Sequence, residues 1–113
     1  MKLVYIAIGA LIGYYLFKKL LINNADYKGL MSHGAIIIDV RSPQEYDNGH
    51  IQGSMNIPLN VVPQNIERLK AKNVPIICVC ASGMRSGSAS SMLKKAGIES
   101  YNGGNWSALN NKI

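Results

Sequence analysis

The chain has 113 residues and a formal net charge of +6, and 48% of its residues are hydrophobic. This length allows one compact domain. The basic residues form no Lys/Arg block with interleaved aromatic residues, which argues against a nucleic-acid partner and favours anionic lipid or a small anionic substrate. Cys78 and Cys80 are two positions apart, and at this spacing in extended chain the side chains point the same way and lie too far apart for an easy disulfide, so we expect free thiols in a reducing compartment. The sequence has no CxxC motif or His cluster that would suggest a metal site.

The first segment is an uninterrupted apolar run from Leu3 to Phe17, followed by Lys18-Lys19 and further apolar residues. As a helix, residues 3–22 would extend roughly 30 Å, which is enough to cross a bilayer if the lysines snorkel. We therefore predict a single-pass transmembrane anchor over residues 1–22 that contacts membrane lipid through residues 3–22. A cleaved signal peptide and a buried core helix are the alternatives, although the run has no A-x-A-like cleavage site and no polar face.

The predicted domain covers residues 23–113 and is joined to the anchor by Asn23-Asn24 alone. Because Lys18-Lys19 lie on the domain side of the anchor, the positive-inside rule favours a cytoplasmic domain. Within the anchor, Gly9 and Gly13 form a G-x-x-x-G pair, which lets two helices approach closely. A homodimer through this pair is an alternative to a monomeric anchor, since glycine is common in membrane helices in any case.

The rest of the chain alternates between apolar strand patterns and helix patterns. Ser42, Pro43 and Glu45 are spaced as in a capping box with Pro at the first helical position. The alternation predicts an α/β fold with an open, mostly parallel sheet flanked by helices, which binds ligands beyond the carboxyl ends of its strands. In chain order we predict a helix over 26–31, a strand over 35–40, a helix from Ser42, a short apolar element within 50–58, a helix over 63–72, a strand over 74–79, a helix over 87–96, a strand over 98–101 and a turn over 103–106.

The loop that follows the predicted strand 74–79 begins at Cys80 and leads into a helix. Free backbone N–H groups and the positive end of the helix dipole meet at such a junction, and they stabilise a thiolate or a bound anion. Ser82 and Gly83 permit a tight turn, and Arg85 adds a permanent cation at its rim. We therefore expect an exposed thiol with a lowered pKa. The predicted site consists of the nucleophile Cys80 and the substrate-binding residues Ala81, Ser82, Gly83, Met84 and Arg85.

The spacing Cys-x4-Arg resembles that of the rhodanese (thiosulfate sulfurtransferase) family. Two motifs in this order are together specific for the resemblance: the block Gly-His-Ile-x-Gly-x-x-Asn-Ile-Pro and the loop Cys-x4-Arg-Ser. A membrane helix before a single rhodanese domain is also similar to a bacterial variant of the family, which implies a bacterial inner membrane as the location. The resemblance covers roughly residues 26–106 and includes, besides the loop, Asp39-Val40-Arg41 with Glu45-Tyr46, the block from Gly49 to Pro58, and Tyr101-Asn102-Gly103-Gly104 followed by Trp106.

The resemblance implies a sulfurtransferase that works through a covalent persulfide on Cys80, without a further cofactor. Cys80 would take the outer sulfur of thiosulfate, or of a persulfide donor, and pass it to cyanide or to a thiol acceptor such as a protein thiol. Many family loops carry a basic side chain directly after the cysteine, whereas this chain has Ala81, so we expect modest affinity for thiosulfate. A non-catalytic binding or regulatory module of the same fold is one alternative. A phosphatase or arsenate reductase is another, but those enzymes have a longer Cys-x5-Arg loop.

The other residues of the resemblance are expected to support the loop. Asp39, Arg41 and Glu45 are predicted to form scaffold hydrogen bonds and ion pairs. For His50, a structural role in a turn is favoured over the role of a base, because a persulfide relay needs no base. Because alternate residues of a strand point to the same side, Cys78 would face the same side as Cys80 and could resolve its persulfide. Its position in the middle of the strand favours inert packing instead.

Overall fold

A computed structural model describes the backbone of residues 2–113 and the side chains of residues 2–17 and 22–113. The elements in chain order are α1 (Lys2–Leu21), α2 (Tyr27–Ser32), β1 (Ile36–Asp39), α3 (Pro43–Asp47), β2 (Met55–Asn56), a 3₁₀ turn (Leu59–Val61), α4 (Val62–Ala71), β3 (Ile76–Cys80), α5 (Met84–Lys95), β4 (Ser100–Asn105) and α6 (Trp106–Asn110). The four strands pair in parallel in the order β2-β1-β3-β4. This arrangement confirms the predicted α/β fold with a parallel sheet flanked by helices.

Each face of the sheet has its own hydrophobic core. Leu69 of α4 and Leu93 of α5 are fully buried on one face, together with Cys80. Tyr27 of α2 and Leu109 of α6 cover the opposite face. The strands β1 and β3 are rich in β-branched residues, as is typical of parallel strands that are buried on both sides. The parallel strands β1 and β3 end at the same edge of this sheet, where Asp39 lies opposite Val79.

Helix α3 begins at the predicted capping box. The Ser42 hydroxyl accepts a hydrogen bond from the backbone N–H of Glu45 at 3.2 Å, and the Glu45 carboxylate accepts one from the backbone N–H of Ser42 at 3.2 Å. Pro43 occupies the first turn, where its missing N–H costs nothing. This prediction is confirmed, and it places the Glu45 carboxylate at the amino end of α3.

Two predicted boundaries at the carboxyl edge of the sheet are wrong. Helix α5 begins at Met84, three residues before the predicted start at Gly87, because Gly83 supplies its N-cap. The predicted turn over 103–106 is instead the end of β4 followed by the first residue of α6. An irregularity in the β3–β4 pairing, where the register shifts between Cys78 and Val79, allows the glycine-rich strand to stay paired.

The N-terminal segment forms α1, and its side chains from Leu3 to Phe17 are exposed. Among the residues that the structure describes, no helix combines the length and the apolar character needed to cross a membrane. The predicted transmembrane anchor over residues 1–22 is therefore not supported. The side chains of 18–21, including the lysine pair of that prediction, lie outside the described residues.

The residues directly after α1 pack onto the domain. The backbone N–H of Asn23 donates to the carbonyl of Asn102 at 2.9 Å, and the backbone N–H of Asn102 donates to Oδ1 of Asn23 at 2.6 Å. Ile22 lies so close to two glycines that a Cβ on Gly83 or on Gly104 would come within 3.0 Å of its side chain. The end of α1 is thus held beside the loop that joins β3 to α5.

Candidate active site

The loop between β3 and α5 turns tightly around the end of the strand. Gly83 is buried and has a φ of +97°, a left-handed conformation that residues with a side chain rarely adopt. The hydroxyl of Ser82 accepts a hydrogen bond from the backbone N–H of Met84 at 3.4 Å. Ala81 and Met84 are exposed on the outside of the turn. The loop therefore directs backbone N–H groups inward, toward the last residue of β3.

The sulfur of Cys80 receives these inward-facing groups. The backbone N–H of Gly83 donates to Sγ at 3.0 Å and that of Ser86 at 3.4 Å, while Oγ of Ser86 lies 3.3 Å from the sulfur. Burial by itself raises the pKa of the Cys80 thiol, but the hydrogen bonds from Ser86, Gly83 and Ser82 outweigh it and leave the pKa below its ordinary value. The amino terminus of α5 favours the thiolate as well. The direction of the shift is the one predicted.

The exposure of this residue differs from the prediction. Cys80 is 0% exposed, because α5 packs over one side of it and the loop closes over the end of the strand. A molecule in solution cannot touch Sγ in this conformation. Contact between an added molecule and this sulfur therefore requires a displacement of part of the loop.

Arg85 extends from the first turn of α5 to α3, where it meets Glu45. Its Nη1 and Nη2 atoms donate to the two carboxylate oxygens at 2.7 and 3.0 Å, which makes the pair bidentate. The hydrogen bonds from Arg85 and from the backbone of Ser42 lower the pKa of Glu45 to about 2. The cation predicted for anion capture is thus largely balanced by a carboxylate, although both side chains are 38% exposed and solvent weakens the pair.

Asp39 and Arg41 form a second, buried ion pair below the site. The guanidinium binds the carboxylate through Nε at 2.9 Å and Nη2 at 2.7 Å, and the two residues are 0% and 5% exposed. Arg41 also donates to the carbonyls of Glu45 and Gly49 and lies 4.8 Å above the ring of Trp106. One arginine thus ties the end of β1 to α3, to the following loop and to α6.

His50 and Cys78 make contacts away from the sulfur of Cys80. The ring of His50 stacks on Tyr46 at 3.7 Å, and its Nδ1 lies 2.8 Å from the Tyr46 carbonyl oxygen. Cys78 is a free thiol buried in the middle of β3, where burial raises its pKa to about 12. A thiol with this pKa stays protonated at neutral pH and is a poor nucleophile.

Three residues that contact the loop were missed as site residues by the sequence analysis. Ser86 was noted only as part of the loop motif, yet its backbone and its hydroxyl both contact Sγ of Cys80. The side-chain amides of Asn102 and Asn105 donate to the carbonyls of Gly83 and Ala81 at 2.8 and 2.6 Å. For the two asparagines, the available signal was their place toward the carboxyl end of the last strand, where ligand sites of parallel sheets lie.

The assembled site can form and hold an anionic sulfur. It has one thiol with a lowered pKa, backbone N–H donors directed at that thiol, and a cation at the rim that a carboxylate partly neutralises. Across the described side chains, no group of three His, Cys, Asp or Glu residues is placed to hold a metal ion. The hydrogen bonds that stabilise a thiolate on Cys80 are the contacts that nucleophilic attack by sulfur requires.

The chain is similar in sequence to known proteins. The chain is 41% identical over 69 residues to the uncharacterized protein YqhL of Bacillus subtilis, covering 60% of this chain and 54% of that protein. It is 39% identical over 61 residues to the thiosulfate sulfurtransferase PspE of Escherichia coli, covering 53% of this chain and 59% of that protein. The chain thus spans a little over half the length of these two curated relatives.

A solved structure described as a rhodanese with anions from E. coli superposes with a TM-score of 0.61 at 33% identity. The superposition covers 71% of this chain and 92% of that one. Residues 23–109 match the family model Rhodanese, described as the rhodanese-like domain. This match takes in the whole sheet, the loop after β3 and both ion pairs. The chain belongs to the rhodanese-like domain family, which includes sulfurtransferases.

Proposed function

We propose that the chain is a sulfurtransferase that moves a sulfane sulfur through a persulfide on Cys80. The observation that carries the proposal is the set of backbone N–H groups from Gly83 and Ser86 directed at Sγ, at the amino terminus of α5. These donors stabilise negative charge on sulfur and hold the thiolate in one place. The sulfurtransferase relatives support the same reaction.

The proposed reaction has two displacement steps. In the first, the Cys80 thiolate attacks the outer sulfur of thiosulfate; a new S–S bond forms, the donor S–S bond breaks, and its electron pair leaves with sulfite. In the second, cyanide or a thiolate attacks the sulfur held on Cys80, which gives thiocyanate or a new persulfide and restores the thiolate. The persulfide is the covalent intermediate, and no metal or organic cofactor takes part.

The direct test is mass spectrometry of the wild-type chain after incubation with thiosulfate or with a low-molecular-weight persulfide. We expect a gain of one sulfur atom with at least one donor, and fragmentation should assign it to Cys80 and not to Cys78. Cyanide should then remove the sulfur as thiocyanate. If no donor adds sulfur, the alternative of a non-catalytic binding module replaces this proposal.

We propose a persulfide, small or on a protein, as a better donor than thiosulfate and a thiol, such as a protein thiol, as the acceptor. Thiosulfate is a dianion, whereas the loop has Ala81 in place of a basic side chain and Arg85 is engaged by Glu45. The positive charge available to an anionic donor is therefore small.

Glu45→Gln is expected to lower the KM for thiosulfate by up to about fivefold, because removal of the carboxylate charge leaves Arg85 free to attract the anion. Glutamine keeps an oxygen that can cap α3, so the fold is retained. Glu67→Gln, which makes the same charge change at an exposed position of α4, is the matched control and should leave KM unchanged. Arg85→Ala should raise KM. An equal effect of both glutamine substitutions would contradict a role of Arg85 in anion capture.

We propose a lipid surface as the partner of the N-terminal segment, with the domain on the cytoplasmic side of a bacterial membrane. The large apolar side chains of α1 are more than half exposed at most positions, and a surface of this kind is unfavourable in water. Contact with a second copy through Gly9 and Gly13 stays a prediction. Apart from chain neighbours and the nearby backbone of α1, a Cβ on either glycine would meet no described atom within 4 Å.

Leu11→Asp is expected to reduce binding of the full chain to phospholipid vesicles by at least about tenfold, since a carboxylate is costly in an apolar environment. Leu11 is 69% exposed, so the substitution should leave the domain folded. Gln64→Asp, on the exposed side of α4, is the control. Vesicle flotation measures the bound fraction, and equal flotation of the two variants would refute the proposed contact.

A further inference from the structure

The buried amide of Asn102 has an orientation that its backbone neighbours determine. Oδ1 accepts a hydrogen bond from the backbone N–H of Gly104 at 3.1 Å, and Nδ2 donates to the carbonyl oxygen of Gly83 at 2.8 Å. A backbone N–H can only donate and a carbonyl can only accept. The oxygen of the amide therefore faces Gly104 and the nitrogen faces Gly83, and the reverse orientation would lose both bonds.

This orientation determines where the proton of Ser86 points. Oγ of Ser86 lies 2.6 Å from Oδ1 of Asn102, and because Oδ1 has no proton, the hydroxyl must be the donor. A serine hydroxyl has one proton. When that proton is bonded to Asn102, Ser86 presents only lone pairs to Sγ of Cys80, 3.3 Å away. In this arrangement Cys80 is the donor, as a neutral thiol.

Ionisation of Cys80 requires the opposite arrangement. A thiolate has no proton to donate, so the contact with Ser86 becomes favourable only if the hydroxyl turns its proton from Asn102 to the sulfur. Asn102 then keeps the bond from Gly104 but loses the one from Ser86. Once Cys80 carries a second sulfur, Sγ is no longer the anion, and the hydroxyl proton can return to Asn102.

We propose that Asn102 is a positioning residue that competes with Cys80 for the single proton of the Ser86 hydroxyl and thereby sets the balance between thiol and thiolate. Asn102 is 2% exposed and lies on β4, opposite Cys78 of β3, so it is held at a constant distance from the site. Asn23 donates to the Asn102 carbonyl and accepts from its backbone N–H, which fixes the same residue from the outside.

The inference deepens the proposed function, since it concerns the same thiol, but its readouts require no sulfur transfer. Among the side chains that the structure describes, the charged and titratable groups that act on the site are Arg85 of α5, which interacts with Cys80, and Cys78 of β3. Glu45 of α3 and Asp39 of β1 act on Arg85. None of these five residues is changed in the variants below.

The first test measures the rate of Cys80 alkylation by iodoacetamide against pH, with intact mass and fragmentation to identify the modified cysteine. Asn102→Leu removes the competing acceptor, so the Ser86 proton is free to serve the thiolate and the apparent pKa should fall by about one pH unit. In the Ser86→Ala background the same substitution should shift it by much less. No shift, or an equal shift in both backgrounds, would overturn the proposal.

Ser100→Ala is the matched control. Ser100 is also a buried polar residue of β4, and its hydroxyl bonds to Ser90 of α5, 3.0 Å away, instead of to the residues around Cys80. The substitution therefore perturbs the same strand–helix contact without a link to the thiol. We expect it to leave the alkylation profile unchanged. A shift equal to that of Asn102→Leu would mean that loosened packing, and not the Ser86 proton, moves the pKa.

A second measurement keeps Asn102 in place, in case the leucine variant does not fold. The ¹³Cγ resonance of the Asn102 amide should move as Cys80 titrates in the wild-type chain, because Oδ1 loses a hydrogen bond when the hydroxyl turns to the thiolate. In Ser86→Ala the thiolate charge still forms, but no hydroxyl turns, and the movement should be much smaller. Identical titration of this resonance in both proteins would overturn the proposal.

Discussion

Cys80→Ser is expected to abolish sulfur transfer and the gain of sulfur that we expect in mass spectrometry of the wild-type chain. A serine hydroxyl of similar size can occupy the position below the loop and keep contacts to the N–H groups of Gly83 and Ser86, but it cannot form a persulfide. The fall in cyanide-dependent thiocyanate formation should therefore reach background, on the order of a thousandfold or more. Circular dichroism and the urea midpoint should stay close to those of the wild type.

Cys78→Ala is the control for this prediction. The two cysteines are on the same strand and face the same core, but burial raises the pKa of Cys78 to about 12. We expect the alanine variant to keep most of its transfer activity and to lose some stability, since a small buried side chain is shortened. Retained activity in Cys80→Ser, or a loss of activity confined to Cys78→Ala, would show that Cys80 does not carry the transferred sulfur.

Arg41→Met is expected to lower the free energy of unfolding by about 3–5 kcal/mol. The substitution leaves the carboxylate of Asp39, which is 0% exposed, without its bidentate partner, and it removes the donors to the Glu45 and Gly49 carbonyls. An uncompensated buried charge costs more than the loss of a surface pair. Because domains of this size have a total stability of roughly 5–15 kcal/mol, the change should be large in urea unfolding at neutral pH.

Two further variants make the Arg41 prediction specific. Arg68→Met removes an exposed arginine of α4 whose hydrogen bond goes to Asn65, and it should change the stability by less than about 0.5 kcal/mol. The double variant Asp39→Leu/Arg41→Met removes both charges, and it should be more stable than Arg41→Met alone. If Arg41→Met and Arg68→Met have equal effects, the buried pair does not hold the edge of the sheet together.

The structural features that depend only on residues close together in the sequence can be predicted from the sequence. The capping box of Ser42 and Glu45 needs only residues three positions apart, and the run from Ile76 to Cys80 is apolar enough to be a buried strand in any parallel sheet. These short-range patterns place Cys80 at the end of a strand and before a helix. The N-terminal α1 also forms where its apolar run predicts a helix, whereas its role as a membrane span is not supported.

The contacts that define the site join residues far apart in the chain. Arg85 meets Glu45 across 40 positions, and Ser86 meets Asn102 across 16. Neither pairing is visible in a local pattern, because each depends on how α5 packs over the sheet and on the shift in register between β3 and β4. The same packing buries Cys80, which the sequence predicts to be exposed.

The sequence by itself determined the fold class, the place of Cys80 between a strand and a helix, and the resemblance to a family, because strand, helix and loop patterns are local. Only the tertiary structure decided which groups surround the sulfur and how they share their protons. A hydrogen bond requires two atoms within about 3.5 Å, and for Cys80, Ser86 and Asn102 that distance exists only once three separate elements have packed together.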